Sequence, residues 1–237
     1  MAVHPTPDNV LLRAFPSEAQ RQLLAAMEHV ELRRGDELVA PHTAPSHVYF
    51  PVNGVCSTIL GAQAGEPPTE VGLFGREGVS GPSGILGAGA TPLKTIVQVD
   101  GHALRIGVDH MRGIMASEPR VANVLLLYVH VLIVQLATTA TAHAQHSLEA
   151  RLARWLLMCW DRVDGDNLAL THEFMSVMLG SQRSSVTVTL HVLEGLGAIR
   201  AERGSVRVLN RDILADLAGG TYGAAEAEYQ RLIAASP

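Results

Sequence analysis

The sequence predicts an α+β protein, in which an N-terminal antiparallel double-sheet β-roll of jelly-roll type precedes a long helix and a C-terminal winged helix-turn-helix. Three patterns predict this fold. Short alternating segments with turns between them fill residues 30–108, an apolar helical pattern follows Pro119, and two helices joined by a tight turn are indicated over residues 170–194. The resulting divisions are a roll (1–118), a long helix with its hinge (119–145), a helix-turn-helix domain (146–218) and a tail (219–237).

The roll is predicted from alternation of apolar and polar residues, after a helical segment at residues 8–28. The alternating segments are Val48–Val52, Val55–Ile59, Thr69–Leu73, Thr95–Val99 and Leu104–Val108. Turn signals occur at Gly35-Asp36, Asn53-Gly54, residues 65–68 and Asp100-Gly101. Many short strands at this spacing favour a double-sheet roll or a barrel.

A glycine- and serine-rich loop at residues 75–89 interrupts these strands. Its glycines do not have the spacing of a dinucleotide fingerprint, and Lys94 is not preceded by glycine as in a P-loop. No G-x-S-x-G elbow surrounds Ser80 or Ser83. The loop alone therefore indicates no nucleotide motif.

Composition limits the function classes. The 237 residues, 47% hydrophobic and 17% charged, are enough for two compact domains. The net charge of −5 is unfavourable for general coating of nucleic acid, but residues 180–211 hold five arginines against two glutamates. This local positive charge is compatible with a specific DNA site.

Two cysteines, Cys56 and Cys159, are too few for a disulfide framework or a four-thiolate cluster, and their apolar neighbours predict buried, inert thiols. The 11 histidines include no H-E-x-x-H pair, and we predict no metal site. No signal peptide is evident. The apolar run Val121–Leu136 contains polar residues and is expected to be too short to cross a membrane. These features predict a cytoplasmic protein.

The pattern after Pro119 predicts a helix to about His143, and a second helix is expected over Ser147–Val163. Apolar residues recur on the long helix at the spacing of a helical seam, namely Val121, Leu125, Tyr128, Leu132 and Leu136. This seam can pack against the roll of the same chain or against a second copy. We favour a homodimer, because a paired DNA reader needs two-fold symmetry.

The helix-turn-helix is predicted from caps and periodicity. Thr171 can cap the first helix, Gly180 stands where that helix ends, and Ser181 can cap the second. The second helix has one apolar face, formed by Val186, Leu190 and Leu193. An arginine, an amide and small side chains near its N-terminus suit the DNA major groove. An ordinary helical hairpin is the alternative.

The segment after this pair favours DNA binding over the hairpin. Residues 198–210 predict two short strands around Glu202-Arg203-Gly204, which makes the pair a winged helix-turn-helix. Arg200, Arg203 and Arg207 would lie beside the groove, where they can contact phosphates.

A roll, a long helix and a winged helix-turn-helix, in this order and at this length, resemble the Crp/Fnr family of bacterial transcription regulators. The resemblance covers nearly the whole chain and is sharpest at HVYFPVNGVCSTI (47–59), GREG (75–78) and LGSQRSSVTVTLHVLE (179–194). It implies a cyclic-nucleotide-binding-like sensory roll, a dimer formed through the long helix, and a recognition helix that reads a palindromic operator.

The resemblance also assigns roles in DNA contact. Arg183 matches the base-reading arginine, suited to a guanine, and Thr171 and His172 match phosphate contacts. Ser184 and Val188 replace a glutamate and a second polar reader, which predicts a different operator sequence. The full set of predicted DNA contacts is Thr171, His172, Ser181, Gln182, Arg183, Ser184, Ser185, Thr187, Val188, Arg203 and Arg207.

The sensory loop departs from the cAMP-binding members, which place a Gly-Glu pair and an Arg-Ser/Thr pair around the cyclic phosphate. Here the loop has no such glutamate, and Lys94-Thr95 replaces the arginine pair. Lys94, the only lysine, lacks the planar fork of arginine. We expect cAMP to bind weakly or not at all and predict no cofactor, although haem held by a single histidine stays open. Candidate effector contacts are Ser80, Ser83, Lys94, Thr95, Thr138 and Thr139.

The sequence thus predicts a dimeric transcription regulator whose partners are double-stranded DNA, a second copy, RNA polymerase and an unidentified small effector, with no membrane. The alternative is a ligand-binding regulatory module that acts through protein partners. We predict no enzyme, because no nucleophile, base and acid fall into a catalytic pattern.

Overall fold

The computed structural model describes residues 8–61 and 68–234. The helices are α1 (Val10–Arg13), α2 (Ser17–Ala26), α3 (Pro82–Ile85), α4 (Val108–Ser117), α5 (Pro119–Gln145), α6 (Leu148–Trp160), α7 (His172–Met178), α8 (Arg183–Gly195), α9 (Arg211–Ala218) and α10 (Ala224–Tyr229). The strands are β1 (Glu28–Leu32), β2 (Glu37–Val39), β3 (His47–Leu60), β4 (Thr69–Phe74), β5 (Lys94–Gly107), β6 (Asn167–Leu168), β7 (Ile199–Glu202) and β8 (Ser205–Val208).

The N-terminal roll is an antiparallel sheet in the order β1-β5-β3-β4, with β2 also paired to β5. The segments predicted on either side of Asn53-Gly54 and of Asp100-Gly101 are not separate strands, because β3 and β5 run through both points. The register of their pairing shifts there. Gly54 has φ +84°, and a Cβ on it would lie 2.7 Å from the Val99 carbonyl oxygen. The expected turns are therefore irregularities inside two long strands.

Two further boundaries differ from the sequence expectation, and one expected turn lies mostly outside the described residues. The helix expected over residues 8–28 is two helices, α1 and α2, separated at Pro16, whose ring cannot continue a preceding helix. Val108, expected at the end of a strand, begins α4. The turn predicted at residues 65–68 lies, except for Pro68, outside the described residues.

The apolar core of the C-terminal domain continues into the roll. Leu152, Leu156 and other buried residues of α6 share one cluster with Val55, Ile59 and Leu73 of the roll. The two domains therefore pack directly on each other, and their relative position is set by apolar burial, which disfavours separation in water.

The long helix α5 has 27 residues and packs on the roll with the face predicted to bind a partner. Val121, Leu125 and Tyr128 are at most 2% exposed and belong to the core of their own chain. Leu132 is half-buried, and Leu136 is exposed. The prediction of this stripe as the dimer seam is therefore wrong for its first three residues, because the roll and N-terminal helices cover them.

The same helix is long and apolar enough to cross a membrane, judged by length and composition, with a mean hydropathy of 2.0 over 18 residues. The helix is longer than the apolar run Val121–Leu136, because it extends past that run at both ends. Core helices of water-soluble proteins pass the same test. One third of the 18-residue window is buried.

The tail after residue 218 packs tightly against the rest of the chain. A 3-10 turn (Gly219–Thr221), α10 and a π-helical turn (Gln230–Ala234) follow α9. Ala225, Tyr229 and Ile233 are buried in one cluster with α5 and α1. The apolar face of this tail was not recognised, because its alanines and tyrosine form only a weak pattern.

Candidate nucleic-acid interface

The helix-turn-helix is formed by α7 and α8. The Thr171 hydroxyl accepts a hydrogen bond from the Phe174 N–H at 3.2 Å and caps α7, as predicted. Gly180 has φ +56°, a left-handed conformation that ends α7 at little cost for glycine. The prediction that Ser181 caps α8 is wrong. Gln182 occupies the cap position without a side-chain bond, and the Ser181 hydroxyl accepts from Arg151 at 3.3 Å.

Burial on α8 separates two faces. Val186, Leu190 and Leu193 are fully buried, as the periodicity predicted, and Thr189 is buried beside them. The predicted reading residues Gln182, Arg183, Ser184, Ser185 and Val188 are exposed. Thr187 is half-buried, and its hydroxyl donates to the Arg183 carbonyl at 3.0 Å and lies 2.9 Å from His172 Nδ1. The arrangement leaves the N-terminal turn of α8 open for contact.

Arg183 is the most prominent charge on this turn. Its side chain is 68% exposed, and its Nε lies 3.8 Å from Glu173 Oε2. An ion pair this long between exposed groups contributes little to stability. The guanidinium can therefore leave Glu173 for another acceptor at low cost.

The wing is the hairpin of β7 and β8, with β6 on its outer edge. Glu194 Oε1 accepts from the Ala201 N–H at 2.8 Å and ties the wing to α8. Arg200 and Arg207 are exposed and directly opposite each other on neighbouring strands. Like charges in this position are unfavourable by themselves. A phosphate between or beside them would remove that repulsion.

Arg211, which contributes to the local charge in the sequence, does not belong to this surface. Its guanidinium donates to the Tyr222 hydroxyl at 2.9 Å, and that hydroxyl donates to Asp161 Oδ2 at 2.7 Å. Arg203 stands at the turn of the wing and is exposed.

The roll reaches the start of α7 through Arg34, a residue that the sequence did not single out. Its Nη2 lies 3.5 Å from the Thr171 hydroxyl, and its guanidinium lies 5.0 Å from the centre of the Phe174 ring. Thr171 and His172, the predicted phosphate contacts, are both half-buried. Arg34 adds a positive charge at this point, but only the packing of two domains places it there.

A buried polar cluster joins the roll to α6. Trp155 Nε1 donates to Glu70 Oε1 at 2.9 Å, and the Ser57 hydroxyl lies 2.6 Å from Glu70 Oε2 and close to Gln98. Gln98 Nε2 in turn contacts Cys159 Sγ at 3.2 Å. Burial raises the pKa of Glu70 to about 7, although the bonds from Ser57 and Trp155 lower it in part. This carboxyl links the two domains and was not found from the sequence, because β4 reads as an ordinary strand.

The GREG segment is a second joint between domains. Glu77 Oε1 accepts from Arg162 Nε at 2.7 Å, and Arg76 Nη2 donates to Asp164 at 2.7 Å. A Cβ on Gly78 would overlap the Tyr128 hydroxyl, so only glycine lets α5 approach here. This part of the glycine- and serine-rich loop is thus a packing element.

The six candidate effector residues do not form one site. The Ser80 hydroxyl accepts from the Tyr49 N–H at 2.9 Å, whereas Lys94 pairs with Ile59, ten positions further along β3. Lys94 Nζ is 2.6 Å from Glu37, and Thr95 is buried. Ser83 has a buried hydroxyl without a hydrogen-bond partner among the described residues. The prediction that these side chains share an effector is corrected by this separation.

Thr138 and Thr139, also in that set, have a structural role. Their hydroxyls accept from Arg154 Nη2 at 3.2 and 3.1 Å, and Arg154 Nε donates to the Thr221 carbonyl at 2.8 Å. Arg154 is buried, and burial lowers its pKa. The two threonines therefore join α5 to α6 and the tail.

Cys56 and Cys159 are buried free thiols, as predicted, and burial raises the pKa of both. Thiols in this state react slowly, because the thiolate is the reactive form. Across residues 8–61 and 68–234, no three His, Cys, Asp or Glu side chains meet in a geometry that could hold a metal ion.

The whole fold recurs in solved structures. FixK2 from Bradyrhizobium japonicum is 15% identical, with a TM-score of 0.68 over 82% of this chain and 98% of its own. The c-di-GMP responsive global regulator CLP from Xanthomonas campestris is 14% identical, with a TM-score of 0.65 over 81% of this chain and 99% of its own. A putative transcriptional regulator of the crp/fnr family from Eubacterium rectale is 17% identical, with a TM-score of 0.64 over 88% and 97%. At these identities the similarity shows the fold.

Residues 150–217, which include α7, α8 and the wing, match the family model of the Crp-like helix-turn-helix domain. This part of the chain is a Crp-like helix-turn-helix domain, and the chain as a whole has the fold of the crp/fnr-family structure. The predicted fold class, with its antiparallel roll, long helix and C-terminal helix-turn-helix, is confirmed by these similarities. No curated protein matches this sequence.

Proposed function

We propose that this protein is a Crp/Fnr-type transcription regulator that acts as a dimer and reads a palindromic operator with α8. The observation that carries the proposal is the open N-terminal turn of α8. Arg183 projects there beside Ser184, while Val186 and Leu190 anchor the helix from behind. A recognition helix reads bases with the side chains of its N-terminal end, and its opposite face must be fixed in the domain.

The chemistry of this turn suggests what it reads. Arginine can donate two parallel hydrogen bonds to O6 and N7 of a guanine. Val188 is 64% exposed on the same face, and an exposed valine suits contact with a thymine methyl group. Arg203 and Arg207 on the wing would hold phosphates and so fix the position of the helix.

The exposed face of α5 supports a dimer through a stripe different from the predicted one. Residues on this stripe alternate at spacings of three and four, the repeat of a two-stranded coiled coil. They are Asn123, Leu126, His130, Ile133, Ala137 and Ala140. Leu126 and Ile133 are 54% and 57% exposed. The stripe lies about a third of a turn around the helix from the predicted one, counted at roughly 100° per residue.

A second copy is the partner that best suits this stripe. Parallel packing of two α5 helices would bury Leu126 and Ile133 of both copies. It would also relate the two α8 helices by a two-fold axis. Two-fold symmetry matches two half-sites about one turn of DNA apart. The apolar face is then covered by protein and not by lipid, and we place the dimer in the cytoplasm. RNA polymerase is the protein partner that a regulator bound beside a promoter would contact.

Control by a small effector also belongs to this proposal, but the predicted effector residues of the roll do not support binding of cAMP. Lys94 forms an ion pair with Glu37, and it replaces the arginine that the cAMP-binding members of the family carry. We expect cAMP to bind weakly or not at all, and micromolar binding measured by calorimetry would contradict this.

Selection of binding sites from random duplex DNA tests the proposal. The wild-type protein should select a palindrome, whereas Arg183→Ala should lose preference at one base position of each half-site, a cost of about 1–3 kcal/mol. Arg21→Ala, an arginine on α2, is the control and should select the wild-type site. A domain that contacts only protein would select no site, and its binding to duplex DNA would lack the salt dependence of phosphate contacts.

A further inference from the structure

A cavity of about 360 Å³ lies where the roll, α5, the end of α6 and the tail meet. Its size is in the range of pockets that hold small molecules. One wall is apolar and includes Tyr128, Val131 and Leu132 of α5 and Ala225 of α10. Polar residues line the rest of the cavity, among them Arg76 and Glu77 of the GREG segment, Arg162 and Tyr229. The cavity is separate from the six effector candidates of the sequence analysis.

Two donors in this cavity wall lack acceptors among the described residues. The Tyr229 side chain is 95% buried, since its exposure is 5%, and its hydroxyl has no hydrogen-bond partner. The Arg76 Nε is buried and unpartnered too, although Arg76 Nη2 pairs with Asp164. Leaving such a group unsatisfied costs roughly 1–3 kcal/mol. Burial raises the pKa of Tyr229, so the phenol keeps its proton and can donate it.

An acceptor is also present. Glu226 lines the cavity, and its carboxylate makes no hydrogen bond to the described residues, although it lies in the field of Arg154 and Arg162. A ligand with one acceptor and one donor on its polar end can therefore pair with both sides of the wall.

The charges of the wall favour an uncharged ligand. Three arginines and three acidic residues line the cavity, and most of these charges are neutralised locally. Arg162 pairs with Glu77, and Asp161 is linked to Arg211 through the Tyr222 hydroxyl. A charged ligand would lose its hydration without finding a net opposite charge.

We propose that this cavity binds a small uncharged amphipathic molecule whose polar end carries both an acceptor and a donor, as an amide does, and whose apolar part lies against α5. The regulatory role of the site rests on the proposed DNA-binding function. Its walls come from the roll, the long helix and the C-terminal domain, so occupancy changes the free energy of the packing between them. A ligand that binds one arrangement more tightly shifts the population towards it.

Calorimetric titration of the full-length protein with octanamide, in the absence of DNA, tests the site. We expect saturable binding, and octanoate and methyl octanoate should bind at least fivefold more weakly, because one is charged and the other lacks a donor. Tyr229→Phe should weaken octanamide binding about 2- to 10-fold, the effect of one hydrogen bond. Tyr49→Phe removes a hydroxyl that does not line the cavity, and it should leave the affinity for octanamide unchanged.

Leu132→Trp should fill the cavity and abolish binding while leaving thermal unfolding close to wild type, because Leu132 is half-buried. If this variant does not fold, the comparison of Tyr229→Phe with Tyr49→Phe still tests the site. Absence of octanamide binding, preference for octanoate, or equal affinity of Tyr229→Phe and wild type would overturn the site. Unchanged DNA affinity at saturating octanamide would overturn its regulatory role. The titration needs no DNA, so its outcome is independent of whether α8 reads an operator.

Discussion

Trp155 Nε1 donates a hydrogen bond to Glu70 Oε1 at 2.9 Å, inside the core that the C-terminal domain shares with the roll. Trp155 belongs to α6 and Glu70 to β4, and both are buried. A polar pair in an apolar core favours one packing arrangement, because any other arrangement leaves the two polar groups without hydrogen-bond partners. This bond therefore helps to set the position of the DNA-binding domain relative to the roll.

The first prediction concerns pH. The folded state raises the pKa of Glu70 from 4.5 to about 7, so it binds a proton more tightly than the unfolded chain does. The stabilisation from this proton is complete below about pH 4.5 and is lost as pH rises through 7. It amounts to a few kcal/mol, on the order of the linkage for such a shift. Thermal unfolding followed by circular dichroism should show a midpoint that falls between pH 5 and 8.

Glu70→Gln is the matched variant, because it keeps the shape and removes the titration. Its midpoint should depend less on pH than that of the wild type. Burial lowers the pKa of His143, so its titration makes stability rise with pH, opposite to the effect of Glu70. This contribution is the same in both proteins. Equal slopes for the two proteins would show that Glu70 does not titrate in this range.

The second prediction concerns the donor of the same pair. Trp155→Phe keeps an aromatic ring but leaves Glu70 Oε1 without its donor, which should lower the free energy of unfolding by about 1–3 kcal/mol. Trp160→Phe is the control, since Trp160 donates to Asp166 at an exposed site. Chemical denaturation of both variants gives the comparison. A Trp155→Phe protein no less stable than the control would refute the role of the bond.

The third prediction concerns the wing. Arg207→Ala should weaken DNA binding similarly on all sequences and reduce the slope of log affinity against log salt by about 1, as expected for one phosphate contact. Fluorescence anisotropy at several salt concentrations measures this slope. Arg105→Ala, in the roll, should leave it unchanged. If Arg207→Ala alters base preference and not the slope, the wing reads bases.

The fourth prediction concerns the dimer. Ile133→Asp places a charge in the centre of the exposed α5 stripe and should convert the dimer to a monomer in analytical ultracentrifugation. Leu86→Asp is the control, because Leu86 is a comparably exposed leucine on another element, 50% against 57% for Ile133. A dimer that persists in Ile133→Asp would place the interface elsewhere.

The local parts of this protein could be predicted from its sequence. Thr171 caps α7, Gly180 ends it, and Val186, Leu190 and Leu193 are buried, because caps, turns and helical periodicity depend on neighbouring residues. The order of roll, long helix and winged helix-turn-helix followed from the same local patterns.

Contacts between distant segments were decided only by the tertiary structure. The periodicity of α5 showed apolar residues on more than one side but not which side meets the roll, and the covered face is that of Val121 and Leu125. Nothing near Glu70 in the sequence indicates that Trp155, 85 positions away, will satisfy it. The cavity beside Tyr229 likewise exists only because the tail folds back onto α5. Long-range packing is stabilised by many weak apolar contacts between distant segments, and the sequence of one segment does not show which others it will contact.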